Sequence, residues 1–517
     1  MLKSLRSGLR RFARNRRGSI AILFGLAVIP IVLGIGVAVD YGRALLVRER
    51  MSSAADAAAL AIGSWTGLTD AERRTKAQQY FDANYPSAAL GTVGTLNVTF
   101  PGDDIKVEVS GTVPTTFMRL ANINSVNVGS SAIITVKQRK IELALVLDTT
   151  GSMGSGGKMT SLKNAAEEMV KTLFDGNAIS PDVKIAVVPF SGAVNIGTDK
   201  LNSGWLDKGK YPNMSVIAKE DLDFDSGQSA LTLYDDLKKE KSSWAWSGCV
   251  RERDDPYELT DDAPVSSATL FAPYLAPDEP DDKGYANSYI DDDKCGESGG
   301  KGGKGRGGKP GPAACQLYTG KYENPKADAS SAKGPDWNCP PNPVTALTDE
   351  KSTVTSAINA LTPDGYTVIP AGLLWGWRVL SPGEPFTDGA PYNSDEWIKA
   401  IVLLSDGENR VNGGSNGHNE SYYNAFGYAA EGHLGSTSGN GAENELDAKT
   451  AAVCSAIKAQ GIQVYTIGFQ ITDQTTKNML KACATEPDMA YLSPTNAQLA
   501  GIFNSIAQGL SDLRIAQ

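Results

Sequence analysis

Histidine is nearly missing from this chain: 517 residues contain two, His418 and His433. That excludes a multi-histidine metal centre and leaves little room for histidine acid–base catalysis. A basic surplus is missing too. With 49 Lys and Arg against 59 Asp and Glu, the net charge is −10, which argues against nucleic-acid binding through a basic surface. Cysteine is scarce: there are six, all beyond residue 248, and none is in C-x-x-C spacing. Zinc ribbons and dithiol redox sites are thereby disfavoured. An even, low count fits structural disulfides in an oxidising compartment. Apolar material is not scarce. AVILMFWYC residues make up 41%, and there are 54 Gly, so a chain of this length can build two or three domains.

The N-terminus predicts the compartment. Residues 1–17 carry Lys3, Arg6, Arg10, Arg11, Arg14, Arg16 and Arg17 and no acid. Residues 19–39, SIAILFGLAVIPIVLGIGVAV, are uncharged. A helix of that length crosses the ~30 Å hydrocarbon core, and Pro30 does not forbid it. The alternative is a cleaved signal peptide. Its apolar region is shorter, about 7–15 residues, and Val37-Ala38-Val39 is a poor cleavage signal. The reading is a basic cytoplasmic segment at 1–18, a transmembrane helix at 19–39 and export of everything after it. Residues 40–64 are Ala-rich and continue the helix as a stalk. From 65 to 139 a small α+β periplasmic module is expected. Thr69 and Glu72 form a capping box before a helix. TLNVTF, IKVEVSGTV and SVNVGSSAIITV then alternate as half-buried strands do. No chemistry shows there; a spacer or docking role is expected.

Arg16-Arg17-Gly18-Ser19, the apolar run, Asp40-Tyr41 and the Ala-Asp-Ala-Ala-Ala-Leu-Ala stretch at 55–61 resemble the anchor of TadE/TadG-like proteins. That family serves bacterial Tad (Flp) pilus assembly. The resemblance implies a single-pass inner-membrane protein, bulk periplasmic, working with pilus-assembly components. Related pseudopilins are cut after a Gly and carry Glu five residues later. Leu23 stands at that offset from Gly18, and processing is left open.

Residues 140–515 read differently. IELALVLD (141–148) is an apolar run ending in Asp, as a strand buried in a parallel sheet would be. Helix 158–174 and strand 183–192 follow. Two helices lie around a loop at 355–380. Strand 399–409 carries Asp406, and helix 447–461, strand 462–469, strand 490–495 and helix 496–513 complete the pattern. Strands alternating with helices predict a doubly wound α/β sheet, whose ligands bind at the carboxyl ends of strands. Asp148 and Asp406 sit at such ends. Thr150 and Ser152 follow on the first loop, and Thr367 can add a third hydroxyl from a neighbouring loop. Two carboxylates and three hydroxyls suit Mg²⁺, or Mn²⁺ or Ca²⁺, rather than zinc. A metal held largely by neutral hydroxyls stays electron-poor and can accept a partner's acidic side chain.

Asp148, Thr150, Ser152, Thr367 and Asp406 resemble the metal-ion-dependent adhesion site (MIDAS) of von Willebrand factor type A (vWA) domains, with Thr150 in place of Ser. The resemblance implies a Rossmann-like head that binds a protein ligand through its metal. With the anchor it implies a TadG-like protein active in assembly, anchoring or adhesion of Flp pili. The alternative among binding proteins is an envelope adhesin or sensor with no pilus role. A haloacid-dehalogenase-like phosphohydrolase is less favoured, because the acid/base Asp it needs two residues after the first is Thr150 here. G-x-S-x-G occurs around Ser298 and Ser415, in Gly-rich loops with no strand leading in, and so defines no hydrolase elbow. A binding protein, not an enzyme, is expected.

An insertion at about 199–345 breaks the alternation. Residues 252–293 hold 13 acids and two bases, read as a solvated acidic surface. Residues 296–308 contain eight Gly and read as a flexible linker. Cys249, Cys295, Cys315 and Cys339 permit three pairings, of which Cys295–Cys315 nested in Cys249–Cys339 is preferred. Trp205, Trp244, Trp246 and Trp337 are read as its small core or as a partner surface, the core being favoured. Cys454 and Cys483, on consecutive helices of the head, are expected to pair. The loop 408–446 should lie near the metal rim, with its two histidines exposed.

Overall fold

A computed structural model describes residues 19–65, 68–85, 91–101, 104–135, 139–281, 284–291, 312–328, 333–412 and 416–513. The basic segment 1–17, Gly18, the Gly-rich run 296–308, Cys295 and the acids Asp282, Asp292 and Asp293 lie outside the described residues. The chain divides into two units, 1–138 with 515–517, and 139–514.

The first unit is built on one helix, α1 (Ser19–Gly63), which contains Pro30 without interruption. Its two halves differ. From Ala21 to Val39 nearly every side chain is exposed, and the run is long and apolar enough to cross a membrane. From Ala44 onward Val47, Met51, Ala54, Ala55, Ala58, Ala59 and Ile62 form a buried stripe at helical spacing. That stripe packs with Ala77 and Phe81 of α2 (Asp70–Asn84) and with a four-stranded antiparallel sheet. The sheet comprises β1 (Thr92–Val93), β2 (Asn97–Thr99), β3 (Asp104–Pro114) and β4 (Ser125–Thr135). Thr69 caps α2 with the reciprocal Glu72 bond that its spacing predicts. Val107, Val109 and Val113 alternate inward along β3.

The second unit carries a six-stranded sheet. Its strands are β5 (Lys140–Asp148), β6 (Val183–Phe190), β9 (Thr345–Thr348), β10 (Trp397–Ser405), β11 (Gln463–Phe469) and β12 (Ala490–Ser493). A separate two-stranded ribbon pairs β7 (Val194–Asn195) with β8 (Cys249–Val250). The order is β12-β11-β10-β5-β6-β9, parallel except for the antiparallel edge strand β9. One face is covered by α3 (Lys158–Leu173), α5 (Lys351–Ala360) and α9 (Asn496–Leu513). The other takes α6 (Ile369–Leu380), α7 (Gly439–Ala459) and α8 (Gln474–Cys483). The architecture is doubly wound α/β, as the alternation predicts. Helix α7 starts at Gly439, eight residues before the position read from sequence, because Ser438 caps it there. The apolar run of β5 holds a surprise. Glu142 is fully buried and faces Lys399, its register partner on β10; the two form an ion pair, and Ala390 N–H donates to Glu142.

The insertion folds onto the α6 face in its described parts. Trp205, Trp244 and Trp246 join the core of that face, together with helix α4 (Ala230–Glu240) and the aromatics Phe271, Tyr274, Tyr289 and Tyr322. The solvated acidic surface holds for Asp255, Asp262 and Asp281, which are exposed, and is corrected for other acids. Glu252, Asp278 and Glu279 are buried; Asp278 pairs with Lys321 and Glu252 with Arg378, because a charge removed from water must be matched. The exposed-histidine reading is corrected as well. Loop 416–438 packs against the insertion, which half-buries both rings: His418 Nδ1 lies 2.8 Å from Tyr285 Oη and His433 Nδ1 3.3 Å from Asp254. Disulfides join Cys249 to Cys339 and Cys454 to Cys483.

Candidate metal centre

Three loops at the carboxyl edge of the sheet are tied together by backbone. Gly151 N–H donates to Gly365 O at 3.0 Å, Asp364 N–H to Thr149 O at 2.7 Å, and Arg410 N–H to Thr367 O at 2.8 Å. Gly365 has φ +79°, and a Cβ there would lie 2.9 Å from Ser191 Oγ, so the turn needs glycine.

Within this frame the side chains form one chain of contacts. Thr150 N–H and Oγ1 both donate to Asp148 Oδ1, at 2.9 and 2.6 Å. Thr150 Oγ1 lies 3.0 Å from Ser152 Oγ, which donates to Asp406 Oδ1 at 2.6 Å. Thr367 lines the same cleft, of about 620 Å³, as Thr150, Ser152 and Asp406. The structure therefore brings Asp148, Thr150, Ser152 and Asp406 into contact and places Thr367 beside them. Cys454–Cys483 and Cys249–Cys339 lie apart from the cleft's lining, and Cys295 is outside the described residues.

Two participants were missed in the sequence. Ser405 Oγ donates to Asp148 Oδ2 at 2.8 Å, so both oxygens of the fully buried Asp148 are engaged. Lys158, the first residue of α3, places Nζ 2.7 Å from Asp406 Oδ2. A lysine a few residues beyond a Gly-rich strand-end loop is the only sequence signal, and it is weak. Trp337 is expected in the insertion core. It packs against that core and also joins Tyr366 and Tyr422 in an aromatic wall, with Tyr366 and Tyr422 stacked at 4.4 Å and Trp337 4.9 Å from Tyr422. Trp337 and Tyr366 line the cleft.

The protons show why a cation fits. Thr150 and Ser152 have one hydroxyl proton each, and each goes to a carboxylate. The 3.0 Å contact between their oxygens is then left without a proton, lone pair against lone pair. A cluster of oxygens with so few protons among them is chemically suited to a cation, and Lys158 already brings one to Asp406. Burial, and then the charge of Asp406, push Asp148 up to about 6, so the site resists holding two bare carboxylates. Among the described residues no three His, Cys, Asp or Glu side chains gather as metal ligands, so any cation here depends on hydroxyls.

A doubly wound head with Asp-x-Thr-x-Ser leaving its first strand, next to Thr367 and Asp406, has the fold and the residue order that resemble a vWA domain. At the other end of the chain, residues 18–63 match the family described as Putative Flp pilus-assembly TadE/G-like. No curated protein matches the chain. Among solved structures, the vWF domain of the type V pili tip protein Mfa5 from Porphyromonas gingivalis is 12% identical, with TM-score 0.32; the match covers 72% of this chain and 95% of that one. The pilus adhesin SpaC from Lactobacillus rhamnosus GG is 11% identical, with TM-score 0.33, over 82% of this chain and 35% of that one. Proximal thread matrix protein 1 from the mussel byssus, with a zinc-occupied MIDAS motif, is 12% identical, with TM-score 0.30, over 73% and 47%. The chain thus spans about a third of SpaC and about half of the byssus protein.

Proposed function

We propose that this is a membrane-anchored binding protein of Tad (Flp) pilus assembly, not an enzyme. Its vWA head, residues 140–515 with the insertion at about 199–345, binds a protein ligand through a divalent cation. Residues 1–18 stay in the cytoplasm, helix 19–39 spans the bacterial inner membrane, and the stalk 40–64, the module 65–139 and the head are periplasmic. The cation is Mg²⁺, with Mn²⁺ or Ca²⁺ as substitutes. Thr150, Ser152, Thr367 and Asp406 face it, and buried Asp148 acts by fixing the Thr150 hydroxyl. When bound, the cation supplies an electrophilic position for a carboxylate of the partner. The aromatic wall of Trp337 and Tyr366 offers apolar contact beside that position.

The observation that carries this reading is the continuous contact chain from Asp148 through Thr150 and Ser152 to Asp406 at the sheet edge. It also speaks against a phosphohydrolase. A carboxylate nucleophile must reach its substrate, whereas Asp148 is fully buried and both its oxygens accept hydroxyl protons. Calorimetric titration of the chain with MgCl₂ or MnCl₂ tests the metal, and loss of piliation on deleting the chain from its host tests the pilus role. Normal piliation with intact metal binding would favour the adhesin or sensor reading instead.

A further inference from the structure

The β3–β4 turn, Thr115–Asn124, reads TTFMRLANIN: apolar side chains, one base and no acid. It leaves large apolar groups in the open, with Phe117 39%, Leu120 76% and Ile123 43% exposed. The turn is rigid. Ile123 N–H donates to Met118 O at 3.1 Å, Thr115 Oγ1 donates to Ile123 O, and Asn122 takes the left-handed φ of 67° that closes it. Such groups held outward by a rigid turn have a partner to find.

The position of the turn on α1 says which. Asp40 accepts the N–H groups of Thr116, Phe117 and Met118 at 2.8–3.1 Å, and Arg43 donates to Thr116 Oγ1 at 2.8 Å. Phe117 lies against Gly36, where a Cβ would fall 2.4 Å from Phe117 Cβ. Gly36 is four residues before Asp40, about 6 Å further down the helix axis. It lies inside the uncharged run 19–39, whose other side chains are almost all exposed. The turn is clamped where the apolar half of α1 begins.

We propose that this turn is a membrane-inserted anchor: Phe117, Leu120 and Ile123 enter the outer leaflet beside the span, while Arg119 reaches the headgroups. The proposal rests on reading 19–39 as transmembrane. Amphipathic elements of this kind bury their apolar side chains several ångströms into the interface, with cationic side chains at headgroup level. The turn fixes the depth of the span and the angle at which α1 leaves the bilayer, because Asp40 and Gly36 bind it to the helix.

The full chain with Leu120→Trp, reconstituted in vesicles of brominated phosphatidylethanolamine and phosphatidylglycerol, tests this, with wild-type emission subtracted. Leu26→Trp reports mid-span and Ile133→Trp an exposed position at the far end of β4. Quenching at 120 is expected to approach that at 26 and to exceed that at 133 at least about threefold. Ile123→Trp repeats the test should the first variant fold poorly. Quenching at 120 no greater than at 133, with 26 quenched, overturns the proposal. So does blue-shifted but unquenched emission at 120, which would mean a protein covers the turn. Absence of quenching at 26 refutes the span itself.

Discussion

Asp40 in one unit and Asp148 in the other are each buried at the end of an apolar stretch, and the two are satisfied in opposite ways. Asp40 takes three backbone N–H groups. Asp148 takes one backbone N–H and two hydroxyls, from Thr150 and Ser405. A backbone donor has nothing further to offer, so the site at Asp40 is complete and serves as a clamp. A hydroxyl that gives its proton keeps lone pairs, so the site at Asp148 presents oxygens toward the cleft. The same residue type becomes a structural joint in one unit and the base of a binding site in the other.

The largest difference between the units should come from reduction. All six cysteines lie in the head unit, where Cys454–Cys483 spans 29 positions and Cys249–Cys339 spans 90. Loop-closure entropy gives about 3–5 kcal/mol for each bridge. Cys454→Ser with Cys483→Ser should lower the head's denaturation midpoint accordingly and leave the first unit's transition in place; coincident loss of both would erase the distinction.

A smaller effect follows from pH. Asp148 is pushed from 3.8 to about 6 by burial and by Asp406. Its folded pKa is raised, so it contributes stability at low pH that is lost as pH climbs through about 6; on linkage this is on the order of 1–3 kcal/mol. A divalent cation competes with that proton and must bind more weakly below about pH 6. Thermal melts at pH 5 and 7, with and without Mg²⁺, should show the larger metal-induced shift at pH 7. An equal shift at both would mean Asp148 is not linked to the metal.

Asp40→Ala strands three N–H groups and should cost the first unit about 2 kcal/mol without altering metal binding. Hydrogen exchange of Thr116, Phe117 and Met118 is the direct readout. The smallest change is expected at Lys158, whose ammonium already neutralises Asp406. Lys158→Ala removes a competing cation and should tighten Mg²⁺ by about 1 kcal/mol, near fivefold. Weaker binding would show that the lysine positions Asp406 for the metal.

The residues of the candidate site are legible because strand ends are. An apolar run closing on Asp148, with hydroxyls at the next two alternate positions, states where the strand stops and what stands on the loop. The supporting cast was not. Ser405, one residue before Asp406, looks like the end of a strand, and only the pairing of β10 with β5 turns its hydroxyl onto Asp148. Glu142 and Lys399 hide within apolar runs 257 positions apart and become partners through register alone. The acids of 252–293 look solvated in a window of sequence, yet Asp278 and Glu252 meet Lys321 and Arg378 only when the insertion folds. Composition reads local solvent exposure, and it fails where distant charges cancel.

On the proposed reading, hydroxyls fixed by a buried carboxylate hold a cation. Calorimetry of MgCl₂ binding to the full chain in detergent, compared with Asp148→Ala, tests it most directly. One saturable site per chain is expected, lost in the variant and kept in the Asp40→Ala protein. Equal Mg²⁺ binding with and without the Asp148 carboxylate would contradict it.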